Sequence, residues 1–310
     1  MSDPSVKAVA VYAPGSVSNL GPGFDCLGVA FTGRGDLVTA HRTDSGRVRV
    51  TAVSDGRIPT AADRNTAAIA AAAVLRRARV DAGLELSIEK GLPLAAGMGG
   101  SAASAVAGAV AADAVLGLRL PRTDLLAAAL DAEEAVSGRH PDNVAPSLLG
   151  GAVLTLSIEP LHVTPLRIHP GLSLVLATPS YTVETARARA ALPASVPRAE
   201  AVGQAARLAG LVTGLERGDG DLIRRSMVDR IAEPARAALY PGYAEARAAA
   251  LEAGAAGVAV SGAGPTVVAI VTAASAGAVG AAFQSAYQRL GMEATIHAAE
   301  IDARGARVVS

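Results

Sequence analysis

The segment at 84–116 constrains the fold more than any other part of the chain. An alternating stretch, LELSIEK, runs into the loop PLAAGMGGSAAS at 93–104 and then directly into a run of small residues reaching about 116. Alternation reads as a strand and the small-residue run as a helix, so the chain must contain a strand, a glycine loop and a helix in immediate succession. Glycine lets successive backbone amides converge without Cβ clashes, and a helix N-terminus adds unpaired N–H donors with a partial positive charge. Such a loop is shaped to hold phosphate. It does not match the Walker A pattern, because no Gly-Lys-Ser/Thr occurs, nor the dinucleotide fingerprint, because no acidic residue ends a second strand about 20 residues on. Standing alone, the same glycines would serve equally to pack an alanine helix against a sheet.

Around this unit the pattern alternates between strands and helices. Residues 6–12 read as a strand entering a turn-rich segment, APGSVSNLGPGFD, at 13–25. The segments 37–43 and 47–53 look like a hairpin about Asp44, Ser45 and Gly46, and Asn65 opens an alanine-rich helix to about Arg79. Thr123 and Asp124 are expected to cap a helix running to Val136, followed by the loop and short helix of SGRHPDNVAPSLLGG and a strand at 152–158. Pro160, Pro165 and Pro170 then fall five residues apart and suggest a domain change, giving units 1–158 and 159–310. The second half reads as a strand at 172–177 and helices near 184–191, 200–216, 221–229 and 243–253. It ends as strand 257–260, the tight turn SGAGP, strand 266–272, helix 277–290 and strand 293–301.

Composition narrows the partner. Among 310 residues 28 acidic and 28 basic side chains balance, so nothing draws the chain toward nucleic acid or an anionic membrane, and a small molecule is the expected partner. Nearly all the positive charge is arginine, only Lys7 and Lys90 being lysines, and arginine suits two-point grips on carboxylate and phosphate. Cys26 is the single cysteine, which excludes an intrachain disulfide, and no base follows it at a spacing suited to a catalytic thiol. The apolar runs 67–75 and 102–118 are too short or interrupted by Asp113 to span a bilayer, and MSDPSVKAVAVYAP lacks the apolar core of a signal peptide. A cytoplasmic protein is expected. His41, His162, His169 and His297 show no metal-ligand spacing.

Three segments together resemble one family. PGSVSNLGPGFDCLG at 14–28, PLAAGMGGSAAS at 93–104 and SGAGPTVVAI at 261–270 are similar, in order and spacing, to the signature segments of the GHMP kinases. Further segments resemble the branch of that family that acts on homoserine: SGRHPDNVAPSLLGG, TARARAALP with Thr185 and Arg189, and RIAEPARAALYPG around Arg236. The resemblance implies an α/β (α+β) fold of two domains. The N-terminal one would be like ribosomal protein S5 domain 2 and the C-terminal one ferredoxin-like, with the active site between them. It implies ATP and Mg2+ as cofactors, L-homoserine as the small-molecule substrate, phosphorylation to O-phospho-L-homoserine in threonine biosynthesis, and a homodimer. The rivals are another GHMP kinase, for threonine, mevalonate or a sugar, and a nucleotide-binding relative without turnover.

The residues follow from the same resemblance. ATP would lie on Pro93, Leu94, Ala95, Ala96, Gly97, Met98, Gly99, Gly100, Ser101, Ala102 and Ala103, and magnesium on Ser101 and Glu133, with Glu134 as the adjacent competitor. Glu133 fits the family's E-x-x-x-S-G form with Ser137 and Gly138. Asn19, Asp25, His140, Asn143, Arg189 and Arg236 match positions that bind the substrate, and Asn143, Thr185, Arg189 and Glu133 carry the catalytic expectation. These types suit a zwitterionic alcohol: Asp25 for the ammonium, arginines for the carboxylate, Asn19 and Asn143 for the hydroxyl. Asn143 stands where several relatives have an aspartate base, and Asp142 stands beside it, so alignment and charge stabilisation are expected to carry catalysis. The loop departs from the commoner GLGSSAAS by having Gly100 in place of serine, which is expected to alter the phosphate contacts. The short spacing from Ser137 and Gly138 to His140 is a second local difference.

Overall fold

The computed structural model describes residues 8–136 and 138–310; Val6 and Lys7, at the head of the first expected strand, and Ser137 lie outside the described residues. Strands β1 (Ala8–Asn19), β2 (Gly23–Thr43), β3 (Val48–Val53), β4 (Gly83–Glu89), β5 (Ala152–Ile158) and β6 (Leu161–Leu166) form one sheet with a short C-terminal strand, β11 (Arg307–Val308). Its path is β11-β1-β2-β4-β3, and the first part of β2 also pairs with β5, which pairs with β6. Helices α1 (Thr66–Ala78), α2 (Gly100–Leu116), α3 (Arg122–Glu134) and α4 (Pro141–Leu149) pack together over this sheet.

A second sheet holds β7 (Leu172–Pro179), β8 (Gly257–Val260), β9 (Val267–Thr272) and β10 (Ala294–Ala299) in the antiparallel order β10-β7-β9-β8. Helices α5 (Thr185–Ala190), α6 (Arg198–Arg217), α7 (Gly220–Ser226), α8 (Ala232–Arg236) and α9 (Tyr243–Glu252) lie between β7 and β8, and α10 (Ala276–Arg289) lies between β9 and β10. This is the strand order of a ferredoxin-like unit with an enlarged first crossover. No described helix is long and apolar enough to cross a membrane.

The sequence accounts for the local choices. Asn65 caps α1 by accepting the amides of Ala67 and Ala68, and Arg79 closes the helix in the left-handed region. In α2 the small residues are a packing requirement: a Cβ on Gly108 would sit 2.3 Å from the Ala67 carbonyl oxygen, so α1 and α2 touch backbone to backbone. The helix is buried nearly all round, as its uniformly apolar sequence demands.

Four expectations are corrected. The segment at 13–25 is mostly strand, turning only at 20–22. Gly15 and Gly23 serve close approach rather than a loop, since a Cβ on Gly23 would lie 2.7 Å from the Asn19 carbonyl oxygen and one on Gly15 2.5 Å from the Phe31 ring. The expected hairpin at 37–53 does not form, because β4 inserts between β2 and β3, antiparallel to β2 and parallel to β3. Leu84, Leu86 and Ile88 of β4 are fully buried, each worth about 1.5–3 kcal/mol of burial, whereas β3 alternates as a sheet edge should. Helix α3 starts at Arg122 with Pro121 before it, placing Thr123 and Asp124 in its first turn, and the helix expected at 221–229 ends at Ser226. Apart from these four, the region of Pro160, Pro165 and Pro170 contains β6, an edge strand that tolerates Pro165, and the second sheet begins past it at Leu172.

A buried ionic cluster ties the loop unit to the sheet. Lys90 at the end of β4 pairs with Asp36 of β2 and donates to the Gly100 carbonyl at 2.7 Å and Ser104 Oγ at 3.0 Å. Ser104 and the Gly91 amide donate to the same aspartate. Both charges are withdrawn from water, and a buried charge that loses its partner costs about 3–5 kcal/mol, so the cluster holds the entry of α2 in one place.

Candidate active site

Between the two sheets lies a cleft of about 590 Å3. Its middle is the glycine loop, where Ala95, Gly97 and Gly99 have positive φ (51°, 74° and 67°). Each glycine is held by contact: a Cβ on Gly97 would meet the Ser261 carbonyl oxygen at 2.4 Å, and one on Gly99 would meet Ser16 Oγ at 2.2 Å and Asn143 Oδ1 at 3.1 Å. A Cβ on Gly100 would make only ordinary contacts, the nearest being Lys90 Nζ at 3.6 Å, so the glycine there is not a steric demand. Ser101 lies in the first turn of α2, whose amides have no intrahelical partners. The SGAGP turn buttresses the loop: Ser261 Oγ donates to the Gly97 carbonyl at 2.6 Å, the Thr266 amide to Ala96 at 3.1 Å, and the Gly262 amide to Ser18 at 3.1 Å.

All the candidate substrate and catalytic residues converge on this cleft. Of the loop residues, 93–97 and 99–101 line it. Met98, Ala102 and Ala103 do not; their side chains are packed in the core, and only their backbone belongs to the loop. Ser101 Oγ donates to Glu133 Oε1 at 2.7 Å, with Glu133 only 5% exposed. Glu134 is a surface residue tied to Arg139 at 2.7 Å. The two neighbouring glutamates are thereby told apart: Glu133 presents a carboxylate to the serine at the mouth of the loop, and Glu134 faces water.

Beyond the loop the amide of Asn143 is fixed at both ends. Ser16 Oγ donates to Asn143 Oδ1 at 3.0 Å, and Asn143 Nδ2 donates to Ser18 Oγ at 3.0 Å. Ser18 in turn hydrogen-bonds the Asp142 carboxyl. Asn19, in the left-handed region, donates to the Gly262 carbonyl at 3.0 Å and accepts the Asp25 amide at 3.0 Å, so it joins the first and third signature segments. Its amide is spent on backbone, which makes Asn19 a strut of the site as well as a wall.

Charge is concentrated at the same end. Arg189 Nη1 and Nη2 each donate to one oxygen of Asp25 at 3.1 Å. His140 Nδ1 lies 3.7 Å from Asp25, and burial outweighs that carboxylate and holds the imidazole pKa below its ordinary value. Arg236, 4% exposed, lies 5.1 Å over the Phe24 ring and donates through Nε to the Ala188 carbonyl at 2.7 Å, fixing α5 over the cleft. Thr185 opens α5 at the exposed rim. Asp142, 3% exposed, has its carboxyl pushed up to about 7, first by burial and then by the Asp25 charge. The thiol of Cys26 is pushed up to about 11, by burial first and then by Asp142 and Asp25, which leaves it protonated at neutral pH and unsuited to nucleophilic work.

Sequence reasoning did not assign Ile58, Pro59, Asn65 and Ile88, which also line the cleft, nor the clamps Ser16 and Ser18. The serines lie in the first signature segment, but their pairing with Asn143 spans more than 120 residues and leaves no local signal.

Known proteins resemble this chain along nearly its whole length. The family models described as "GHMP kinases N terminal domain" and "GHMP kinases C terminal" match residues 65–151 and 211–289. A homoserine kinase of Xanthomonas campestris pv. campestris is 39% identical over 98% of this chain and 95% of its own length. One from Arabidopsis thaliana is 40% identical over 99% of this chain and 86% of its own. The crystal structure of homoserine kinase from Cytophaga hutchinsonii superposes with a TM-score of 0.95 at 37% identity, covering 100% of this chain and 99% of that one. The L. major mevalonate kinase in complex with R-mevalonate shares the fold at a TM-score of 0.73 and 16% identity, covering 97% of this chain and 98% of that one.

Proposed function

The chain belongs to the GHMP kinases, and within that family we propose that it transfers the γ-phosphoryl group of ATP to the side-chain hydroxyl of L-homoserine, a step in threonine biosynthesis. The observation that carries this reading is the joining, in one cleft, of an amide-rich glycine loop with a cluster of opposite charges across Asn143. A sugar or other uncharged polyol has no use for that cluster, and mevalonate has no ammonium.

The loop amides and the start of α2 suit the triphosphate. Ser101 and Glu133 offer two hard oxygens 2.7 Å apart beside those amides, a set that fits Mg2+, which binds through one or two protein oxygens and completes its shell with phosphates and water. When bound, magnesium supplies neutralisation of the charge on the transferring phosphates. Arg189 and Arg236 suit the substrate carboxylate, and Asp25 the ammonium.

Asn143 holds the acceptor hydroxyl in line. Ser16 and Ser18 pin its amide, so its remaining N–H and carbonyl valences have one orientation to offer. The hydroxyl oxygen forms a bond to γ-phosphorus, the bond to the bridging oxygen breaks with its electron pair leaving on ADP, and the hydroxyl proton passes to the phosphoryl oxygens. A loose transition state needs little activation of the nucleophile, so alignment and charge stabilisation suffice.

The test is ADP release from Mg-ATP with L-homoserine, L-threonine, L-serine and mevalonate as acceptors. L-Homoserine is expected to give the highest kcat/KM, by at least tenfold. Faster turnover of any other acceptor would overturn the substrate assignment.

A further inference from the structure

We propose that Asp142 is a second binding group for the substrate ammonium, its free carboxylate oxygen taking a hydrogen bond from the ammonium that Asp25 alone does not hold. The inference rests on the homoserine reading above and adds a residue to it.

Two buried atoms of the cleft carry the argument. Asp142 Oδ1 and Arg189 Nε are each shielded from water and each lack a hydrogen-bond partner. One is an acceptor on a carboxylate and the other a donor on a guanidinium, so the pair complements a zwitterion in which an ammonium and a carboxylate share one carbon. Asp142 is 3% exposed and lines the cleft. A buried polar atom left unsatisfied is costly and calls for an explanation, and a bound ammonium supplies one.

The charges around Asp25 point the same way. Both of its oxygens are occupied by Arg189, a two-point pair that already neutralises it. An ammonium competing only for Asp25 would have to break that pair. Shared with Asp142, it can keep the Asp25–Arg189 pair largely intact and leave Arg189 Nε for the carboxylate. Its place is set by packing, since the Asp142 backbone carbonyl is pressed on Gly28 and Ser18 hydrogen-bonds the carboxyl.

The groups facing Asp142 are Asp25 and Cys26 from β2, Ser18 from β1, Glu133 from α3, Arg189 from α5 and its neighbour His140. Burial and the Asp25 charge both favour its protonated form. Arg189 supplies positive charge to that set, yet Asp142 Oδ1 has no hydrogen-bond partner; what is missing is a cation that donates to that oxygen, and binding it requires the ionised carboxylate.

The experiment compares L-homoserine with 4-hydroxybutyrate, the same alcohol and carboxylate without the ammonium, in full-length wild type and Asp142→Asn, with folding checked by circular dichroism. Asp142→Asn is expected to raise KM for homoserine about 100-fold or more, with kcat changed less than tenfold and kcat/KM for 4-hydroxybutyrate changed less than threefold. Wild-type KM for homoserine is expected to fall about tenfold between pH 6 and pH 8 as the carboxyl ionises, with no such trend for 4-hydroxybutyrate. An equal loss on both acceptors, a loss confined to kcat, or an unaltered KM overturns the proposal. Should the variant not fold, the wild-type pH series decides alone, and a flat KM for homoserine overturns it. Failure of the homoserine reading itself is seen separately, as a wild type that does not turn over homoserine at all.

Discussion

Glu133→Gln is expected to lower kcat about a thousandfold while leaving the protein folded. The substitution keeps the size of the side chain and an acceptor oxygen for Ser101, whose hydroxyl donates at 2.7 Å, so packing beneath the loop is preserved. What is lost is the negative charge beside the phosphates. A hard divalent ion held by one carboxylate loses most of its protein affinity with that charge, and the stabilisation it brings to the transferring phosphoryl group is worth several kcal/mol. The variant should also need at least tenfold more magnesium for half-maximal rate. Glu134→Gln is the control, since Glu134 is tied to Arg139 on the surface and should change kcat less than threefold. A Glu133→Gln enzyme within tenfold of wild type, with unaltered magnesium dependence, would remove the carboxylate from the metal site.

Asn143→Ala is expected to lower kcat about 100- to 1,000-fold, the range for losing one positioned donor at a reaction centre. KM for ATP should change less than threefold, because Asn143 meets the loop at Gly99 and its side-chain amide is hydrogen-bonded to Ser16 and Ser18, not to the loop. The physical basis is the clamp of Ser16 and Ser18, which gives one amide a single orientation next to the phosphate loop. Ser18→Ala removes one end of the clamp but leaves Asn143 and its Ser16 contact in place, and should cost less, about tenfold. Steady-state kinetics in ATP and in homoserine separate these outcomes. If Asn143→Ala keeps the full maximal rate, alignment by this residue is not what drives the transfer.

The parts of the molecule legible in the sequence are those whose cause lies within a few residues. The order of strand, glycine loop and helix at 84–116, the Asn65 cap of α1 and the Gly150 stop after α4 all have local causes, and each appears where its residues place it. Composition misled where a tertiary contact decided. Gly15 and Gly23 in a run with Pro14 and Asn19 read as turn, yet they lie within β1 and β2, where side-chain and backbone atoms come too close for a Cβ. The position of β4 was likewise hidden, since adjacency along the chain favours a hairpin and only the burial of Leu84, Leu86 and Ile88 moves β4 to the interior of the sheet.

The site divides in the same manner. Residue types of the three signature segments could be read from the chain, but their partnerships could not. Asp25 and Arg189 are 164 positions apart and face each other across the cleft, so two groups read separately as substrate ligands are also each other's counter-ions. Arg236 proves to hold α5 as well as to line the cleft. Asp142 and Asn143 are adjacent in sequence, and the difference between them, a buried carboxyl with a free oxygen beside a clamped amide, depends on packing against β1 and β2 that no local pattern encodes.

The most direct measurement is a crystal structure with a non-hydrolysable ATP analogue, magnesium and L-homoserine bound together. The account predicts the β- and γ-phosphates against the main-chain amides of 97–101, with the amino acid opposite them between Asn143 and Arg189 and its hydroxyl in line with the γ-phosphorus. Phosphates seated away from that loop, or homoserine bound outside the cleft, would contradict it.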